Sequence, residues 1–584
     1  MINLKLLTYM SLLGCTSVYA QTQESFLMSK SKGLLGIDAK ELVKESTFKD
    51  ILGQIHTRYA RKHLGLPVFG EEVIVHSDKT KVRSVTNNAQ SVLPVLSDKK
   101  MASAIDENKA TSLANFSLLK LFHLLPKDTQ RNAVLGWYKS KLAWKINLHN
   151  TMNTMNQPFD WIVYVDAFNG KVIKSFNNFK SFMPIFNYTI NTEDTPDTTK
   201  SKPQLLMNAR HPPEILGSID GIGAMIYNYG VLPITLSNIA PKYRTNRKQY
   251  MGWDTTRGNM YVTTMQSKGS ESRAMLFRHG KLLFVDSTVG NGNITDPDSI
   301  SITAYYGMEL TWDYYLNVHG RKGIKDDGKG AYGRTHFGKN YPNAFWTDVC
   351  NCMTFGDGKL DNSPLSSGPF VSIDVTAHEM THGVTSATAN LEYSGQSGAL
   401  NESFSDVFGN AVYFYAAEHG ANITPKYWVG EDLLTPGIPG DALRYMDHPA
   451  QDAKMYPKEN LHSLDNIGPD PRVIDTIDVH FTSGIPNNVF YLLAEGGVND
   501  TSKLHVDAIG RLKAEKIFYR ALTVYLSQLS DFGDACGAEV QSAADLYPED
   551  ASMQDKVKSA WVAVGLPIEQ CEIKHVPVTN STKE

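Results

Sequence analysis

Two histidines one helical turn apart constrain this chain more than any other feature of its 584 residues. They lie in Val375-Thr376-Ala377-His378-Glu379-Met380-Thr381-His382-Gly383. On a helix, positions four apart share a face, so His378 and His382 aim two imidazoles at one point. Zinc takes such nitrogens at about 2.0–2.1 Å, and a catalytic site keeps one position open for water. Glu379 adjoins the first histidine, where it reaches that water rather than the metal. Alone, the motif also fits two surface histidines on an amphipathic helix. The stretch Gly398–Asp406 shifts the balance, because Ala399, Leu400, Phe404, Val407 and Phe408 give a second helix an apolar side from which Glu402 leans toward the histidines. Asp406, one turn beyond, is spaced to accept the other ring N–H of His378 and fix its tautomer. For these residues to meet, the two helices must lie against each other.

The rest of the chain is long enough for three or more folded units of about 100–150 residues. A net charge of −4 over this length gives no reason to expect nucleic acid or an anionic membrane as partner, since both demand basic clusters. At the N-terminus, Lys5, the apolar run Leu6–Leu13 and Val18-Tyr19-Ala20 read as a secretory signal cleaved after Ala20. Leu12-Leu13-Gly14-Cys15 read as a lipoprotein signal is the alternative; its second Leu fits poorly. The apolar run is too short to span a bilayer of about 30 Å, and no other stretch is long and apolar enough. Export leaves Cys350, Cys352, Cys536 and Cys571, an even number in a compartment where disulfides persist. Three pairings are open to them, or none if they are free thiols.

Residues 21 to about 180 read as a unit of their own. Gly65-Leu66-Pro67 leads into the β-rich Val68–Val75, and Asn169-Gly170 separates two β-rich segments as a hairpin turn. Between them, Ala110–Lys127 is apolar at helical spacing, with Leu113, Phe116, Leu118, Leu119, Phe122 and Leu124. Asn191–Pro203, rich in Thr, Asp, Lys and Pro, reads as an exposed linker: a processing site or an ordinary interdomain loop. From about 205 to 370, short strand-like runs such as Asn259–Met265 and Ala274–Val285 precede a helical stretch near Ser301–His319. Beyond about 372, helical patterns dominate, among them Ala508–Leu529.

The segment His378–Gly409 resembles the zinc core of the thermolysin-like metalloproteases, closest to the vibriolysin and pseudolysin branch. The resemblance extends to Asn340–Trp346, an edge strand that holds substrate backbone, to Ala442–Asp447, an arginine segment, and to Asp478–Gly484, a segment with a catalytic histidine. Phe490–Leu493 and Ala560–Leu566 follow the family's C-terminal helices. The implied fold is α+β: a two-lobed catalytic domain, its N-terminal lobe β-rich and its C-terminal lobe helical, preceded by an α+β propeptide. The corresponding divisions are a signal at 1–20, a propeptide at 21–205, the lobes at 206–375 and 376–571, and a tail at 572–584. The resemblance places the mature N-terminus at about 195–225 and makes the propeptide both folding aid and intramolecular inhibitor.

The resemblance also implies roles. His378, His382 and Glu402 hold one Zn2+, and Glu379 is the base. His480 and Tyr393 donate to the developing oxyanion, and Asp475 or Asp478 orients His480. Arg444 holds a substrate carbonyl, and Asn343 and Ala344 bind the peptide. Val375, Val429 and Leu443 wall an apolar pocket, so that protein and peptide substrates are cut before Leu, Phe, Ile or Val. Cys536 pairs with Cys571, whereas Cys350 and Cys352 form either a two-apart disulfide or free thiols. Where the family places carboxylates for Ca2+, this chain has Asn410 and Tyr413; Asp374, Glu431 and Asp432 remain as a depleted set against the six to eight oxygens calcium takes. Two rival classes stand beside this reading. A binding protein with lapsed catalysis is disfavoured because every expected catalytic residue is present. A structural zinc module would need a closed, cysteine-rich site.

Overall fold

The computed structural model describes residues 23–578 except 79, 90–91, 123–128, 151–158, 185–214, 240–248, 269–274, 277–287, 362–365, 435–439, 452–462, 468–470 and 572–574. The expected signal, the Asn191–Pro203 linker and most of Ala274–Val285 lie outside the described residues.

The N-terminal unit builds a nine-stranded sheet. Its path runs Leu42–Lys49, Ile55–His63, Leu66–Ser77, Gln130–Tyr138, Lys141–Asn150, Phe159–Asp166, Val172–Asn177. Val82–Asn87 pairs with Leu66–Ser77, and the C-terminal strand His575–Pro577 adds antiparallel onto Val82–Asn87. Val73, Ile74 and Val75 are all fully buried, as a strand covered on both faces requires. Val73 and Val75 pack with Leu27 and Leu35 of the unit's own first helix. On the alternate positions, His76 stacks its ring 5.1 Å from Tyr525 of the C-terminal lobe. The expected hairpin is present between Phe159–Asp166 and Val172–Asn177, with Gly170 at φ 71°.

The helix in this unit spans Glu107–Phe122, and its buried stripe is Ala110, Ala114 and Leu118 against Ile146, Leu148, Val163 and Val165. Phe116 and Leu119, expected in that stripe, are exposed. Ala110 and Ala114 face the sheet together with Leu118, and Phe116 and Leu119 turn outward.

Two sheets form the β-rich lobe. One has four strands, Gln249–Met251, Val231–Ile239, Ile215–Ala224 and Thr288–Val289. The other has seven, and its path ends Tyr332–Phe337, Cys352–Gly356, Ala344–Thr347, Lys180–Ser181. Its last strand therefore comes from the end of the N-terminal unit. The helix Pro297–His319 is capped by Asp296, whose side chain accepts from Ser299 N, and stopped by Gly320 at φ 72°. It packs on the motif helix Ile373–Ser386, which in turn lies along Gly395–Glu418. A Cβ on Gly409 would stand 2.8 Å from the Asp374 carbonyl oxygen, so only glycine lets the two helices approach this closely.

Helices Gly484–Glu495, Arg511–Arg520, Phe532–Leu546 and Ser552–Ala563 complete the C-terminal lobe, and one apolar core runs through both lobes. The Cys536–Cys571 disulfide ties the lobe to the chain end, and Cys350–Cys352 is also a disulfide. The helix expected over Ala508–Leu529 is shorter, Arg511–Arg520 followed by a wide turn at Ala521–Tyr525. Gly510, at φ 91°, delays its start. At its end, Arg58 of the N-terminal unit donates to the carbonyls of Thr523, at 3.1 Å, and Leu526, at 2.9 Å, and satisfies groups that a continuing helix would use.

Candidate active site

The motif helix buries polar residues as well as apolar ones. His378, Glu379 and His382 are each fully buried, as are Glu402 and Asp406 on the neighbouring helix. Among the described residues, His378, His382 and Glu402 are the group of His, Cys or acidic side chains whose ligand atoms converge within 4.8 Å.

Each imidazole is held through Nδ1. That of His378 donates to Asp406 Oδ1 at 2.9 Å, and that of His382 donates to Asn401 Oδ1 at 2.8 Å, with Ser405 Oγ 3.1 Å away. The Asn401 amide is itself fixed by its Nδ2, which donates to the Leu391 carbonyl at 2.9 Å. With a proton on each Nδ1, the two Nε2 lone pairs face one another at 3.1 Å. Glu402 Oε2 and both Glu379 oxygens are buried without a hydrogen-bond partner. Two opposed lone pairs and unsatisfied carboxylate oxygens in a buried pocket are a cation site by their chemistry, and the nitrogen–nitrogen–oxygen set suits zinc.

Electrostatics follow the same geometry. Burial drives the His378 pKa down to about 4, against the pull of Asp406 and Glu402. Burial would raise Glu402, but His480, His382 and His378 hold it near about 2. Glu379 is pushed well above the carboxylate range by burial and by the Glu402 charge, opposed by Arg444.

His480 sits at the start of a short helix, Val479–Thr482, capped by Asp478. Its Nδ1 bonds Asp478 Oδ1 at 2.6 Å, and its Nε2 donates to the Ser181 carbonyl at 2.6 Å, with the Tyr393 hydroxyl 3.3 Å away. Burial opposes its charge, but Glu402 and Asp478 raise its pKa to about 9, so both nitrogens carry protons. Of the two expected orienting residues, Asp478 makes the contact; Asp475 lies instead against Gly395, where a Cβ would meet its carboxylate at 2.1 Å. The helix cap decides this, since a capping side chain already sits beside the ring it orients. Tyr393 donates to Glu402 Oε1.

Arg444 bonds Asp406 through Nε at 2.8 Å and Nη2 at 2.6 Å, and Nη1 donates to the Phe182 carbonyl at 2.9 Å. Asn343 takes Met183 at both ends, accepting from its amide and donating to its carbonyl at 3.0 Å each, and the Ala344 carbonyl accepts from Phe182 N at 3.1 Å. Val375, Val429 and Leu443 are buried in the same cluster as Phe182. At Gly430 a Cβ would lie 3.2 Å from both Leu443 Cβ and Phe182 Cζ, so Phe182 fills this pocket.

The candidate calcium residues are otherwise engaged. Asp374 accepts from Ser372 Oγ at 2.5 Å and Gly430 N at 2.7 Å. Asp432 Oδ2 accepts the hydroxyls of Tyr229 at 2.5 Å and Tyr413 at 2.7 Å, and Glu431 pairs with Lys426 at 2.9 Å. Burial and the neighbouring Asp374 charge raise Asp432 to about 7. Asn410 Nδ2 donates to the Lys426 carbonyl at 2.6 Å.

Four contributors escaped the sequence reading. Asn401 and Ser405 orient His382, and Asn487 donates to Asp406 Oδ2 at 2.8 Å. The segment Lys180–Met183 was the fourth. Asn401 and Ser405 sit one turn apart on the Glu402 helix, a spacing that could have found them. Asn487, on a different helix, has no local signal.

Residues 235–386 match the family model described as thermolysin metallopeptidase, catalytic domain, and residues 389–566 match its alpha-helical domain. Residues 40–89 match the fungalysin/thermolysin propeptide motif. The chain is 34% identical over 551 residues to a transglutaminase-activating metalloprotease of Streptomyces mobaraensis, covering 91% of this chain and 62% of that protein's length. It is 33% identical over 548 residues to a thermolysin of Bacillus sp. strain EA1, covering 91% of this chain and 87% of that one. It is also 32% identical over 531 residues to the thermostable neutral protease NprT of Geobacillus stearothermophilus, covering 88% and 84%.

Proposed function

The chain belongs to the thermolysin metallopeptidase family, and from that premise we propose that it is a secreted zinc endopeptidase precursor centred on His378, His382, Glu402 and Glu379. Metalloendopeptidase chemistry and an N-terminal propeptide come with the family. The observation that carries the zinc assignment is the pair of opposed Nε2 lone pairs 3.1 Å apart beside the unsatisfied Glu402 Oε2.

Zinc, when bound, supplies acidification of a water and polarisation of the scissile carbonyl. Glu379 takes the proton of the attacking water and hands it to the leaving amine. His480, protonated and oriented by Asp478, donates with Tyr393 to the negative charge that builds on the carbonyl oxygen. Arg444, anchored on Asp406, holds the carbonyl one residue past the cut. Asn343 and the Ala344 backbone set the register of the peptide. The pocket walled by Val375, Val429 and Leu443 excludes charge, which favours cleavage before Leu, Phe, Ile or Val.

The N-terminal unit inhibits in cis, because its end lies across the cleft that a substrate would use. The divisions are a signal at 1–20, a propeptide at 21–205, lobes at 206–375 and 376–571, and a tail at 572–584. Export rests on the Lys5–Ala20 pattern and the two disulfides. Calcium is not required at Asp374, Glu431 and Asp432, whose carboxylates already have protein donors.

Casein hydrolysis by the purified mature protein tests this reading, with zinc measured on the wild type and on Glu379→Gln. Activity confined to the wild type, with about one zinc in each, is expected. A wild type that is inert with zinc bound and its N-terminal unit removed would leave a binding role instead.

A further inference from the structure

The end of the N-terminal unit lies in the cleft as a peptide strand. Lys180–Ser181 pairs antiparallel with Ala344–Thr347, Ser181 opposite Phe345 and Lys180 opposite Trp346. Lys180 Nζ is held by Asp348 at 2.5 Å and Ser386 Oγ at 2.7 Å. The Ser181 carbonyl receives the His480 hydrogen bond at 2.6 Å, and the Ser181 backbone also lies against the Tyr393 hydroxyl. The next carbonyl, of Phe182, is taken by Arg444, and the Phe182 ring meets the His378 ring edge-on at 5.1 Å. Met183 is engaged at both its amide and its carbonyl by Asn343.

These contacts fix a single register. One carbonyl faces the oxyanion donor, the following side chain fills the apolar pocket, and the following carbonyl reaches the anchored arginine. A slip by one residue would turn the Phe182 ring out of its pocket and point Ser181 into it. Resting on the endopeptidase reading above, the geometry points to Ser181–Phe182 as the bond that this enzyme hydrolyses in its own chain to begin maturation. The oxygen of a water bonds to the Ser181 carbonyl carbon, and the C–N bond to Phe182 breaks. Both water protons end on the Phe182 nitrogen, the first by way of Glu379, leaving a Ser181 carboxylate and a Phe182 ammonium. A mature N-terminus at about 195–225 would then need a second, later cut.

The test uses the full-length precursor, wild type and Glu379→Gln, with both cleavage ends read by mass spectrometry. In the wild type the N-terminal fragment should end at Ser181, a mark that later trimming on the other side does not erase. Phe182→Leu should keep that end, and Phe182→Asp should slow the cut about 100-fold, since a charge enters an apolar pocket. A second readout does not depend on turnover: in the uncut Glu379→Gln precursor, the Phe182 amide should exchange with deuterium at least about 100-fold slower than an open amide. A wild-type fragment that continues past Ser181 while casein is hydrolysed would overturn the assignment and leave the endopeptidase reading intact. Rapid exchange at Phe182 would overturn it as well. Zinc-loaded wild type inert toward both casein and itself would overturn both readings.

Discussion

Arg444 and Asp406 form a two-pronged pair, Nε to Oδ2 at 2.8 Å and Nη2 to Oδ1 at 2.6 Å, with Asp406 fully buried and Arg444 nearly so. Asp406 also holds His378, and Arg444 also holds the Phe182 carbonyl, so one ion pair joins His378 to the strand in the cleft. Arg444→Ala leaves a buried carboxylate without its main partner and should cost about 3–5 kcal/mol in stability. Arg444→Lys should recover only part, because lysine cannot match the planar fork. Guanidinium unfolding of both variants in the Glu379→Gln background reads this directly.

Asn401 holds the ring of His382, a proposed zinc ligand, at 2.8 Å. Asn401→Ala should weaken zinc binding about 10–100-fold by freeing the His382 ring, in competition with a chromophoric chelator. Ser405 Oγ, 3.1 Å from the same nitrogen, sets the floor for that loss.

Acid should loosen the precursor in two stages. Asp50, buried beside His56 and paired with Arg520 of the C-terminal lobe, is held to about 2 although burial opposes it. Burial lowers His56 below its ordinary value of 6.5, opposed by Asp50. Both groups bind fewer protons folded than unfolded. Stability is therefore full above pH 6.5 and declines as His56 is asked to charge. It declines again as pH falls from the ordinary 3.8 through the Asp50 value of about 2. The Asp50 stage is worth about 1–2 kcal/mol. Thermal melts of the Glu379→Gln precursor from pH 7 to 2 should show both stages, and Asp50→Asn should shrink the lower one, to which Glu402 also contributes.

Removal of calcium should leave the melting temperature unchanged, since Tyr229 and Tyr413 already hydrogen-bond Asp432. Tyr413→Phe should cost about 1–3 kcal/mol by stripping a donor from a buried carboxyl. A rise of several degrees on adding calcium to the zinc-loaded wild type would refute this.

Breaking the Cys536–Cys571 disulfide, which closes a separation of 35 residues, should cost about 3–4 kcal/mol. Denaturation of Cys571→Ser in urea measures it.

The convergence of His378, His382 and Glu402 was legible because each lies in a short, helix-periodic motif whose geometry is local. The α+β division was legible for the same reason, strand-like alternation giving way to helical spacing near residue 372. The close of the turn after the 511–520 helix was not, because the carbonyls of Thr523 and Leu526 are taken by Arg58, which arrives from a different unit more than four hundred residues earlier in the chain. Asp475 and Asp478 could not be separated, since both spacings are plausible until the helix cap is formed. The occupant of the cleft escaped for a deeper reason. The Ser181 and Phe182 carbonyls are backbone groups, identical at every position, and only strand addition gives them a role.

The strand His575–Pro577 completes the sheet of the N-terminal unit rather than any sheet of the enzyme. Hydrolysis near residue 181 would sever the peptide link at one end of that unit while this clasp persists at the other. The cut fragment would then remain at high effective concentration over the cleft, and activity would appear with the slow opening of the clasp rather than with the chemistry. A chain ending at Cys571 would process at the same rate yet shed its inhibitor sooner. On this reading the timing of activation would rest on residues 575–577, far along the sequence from the segment that lies in the cleft.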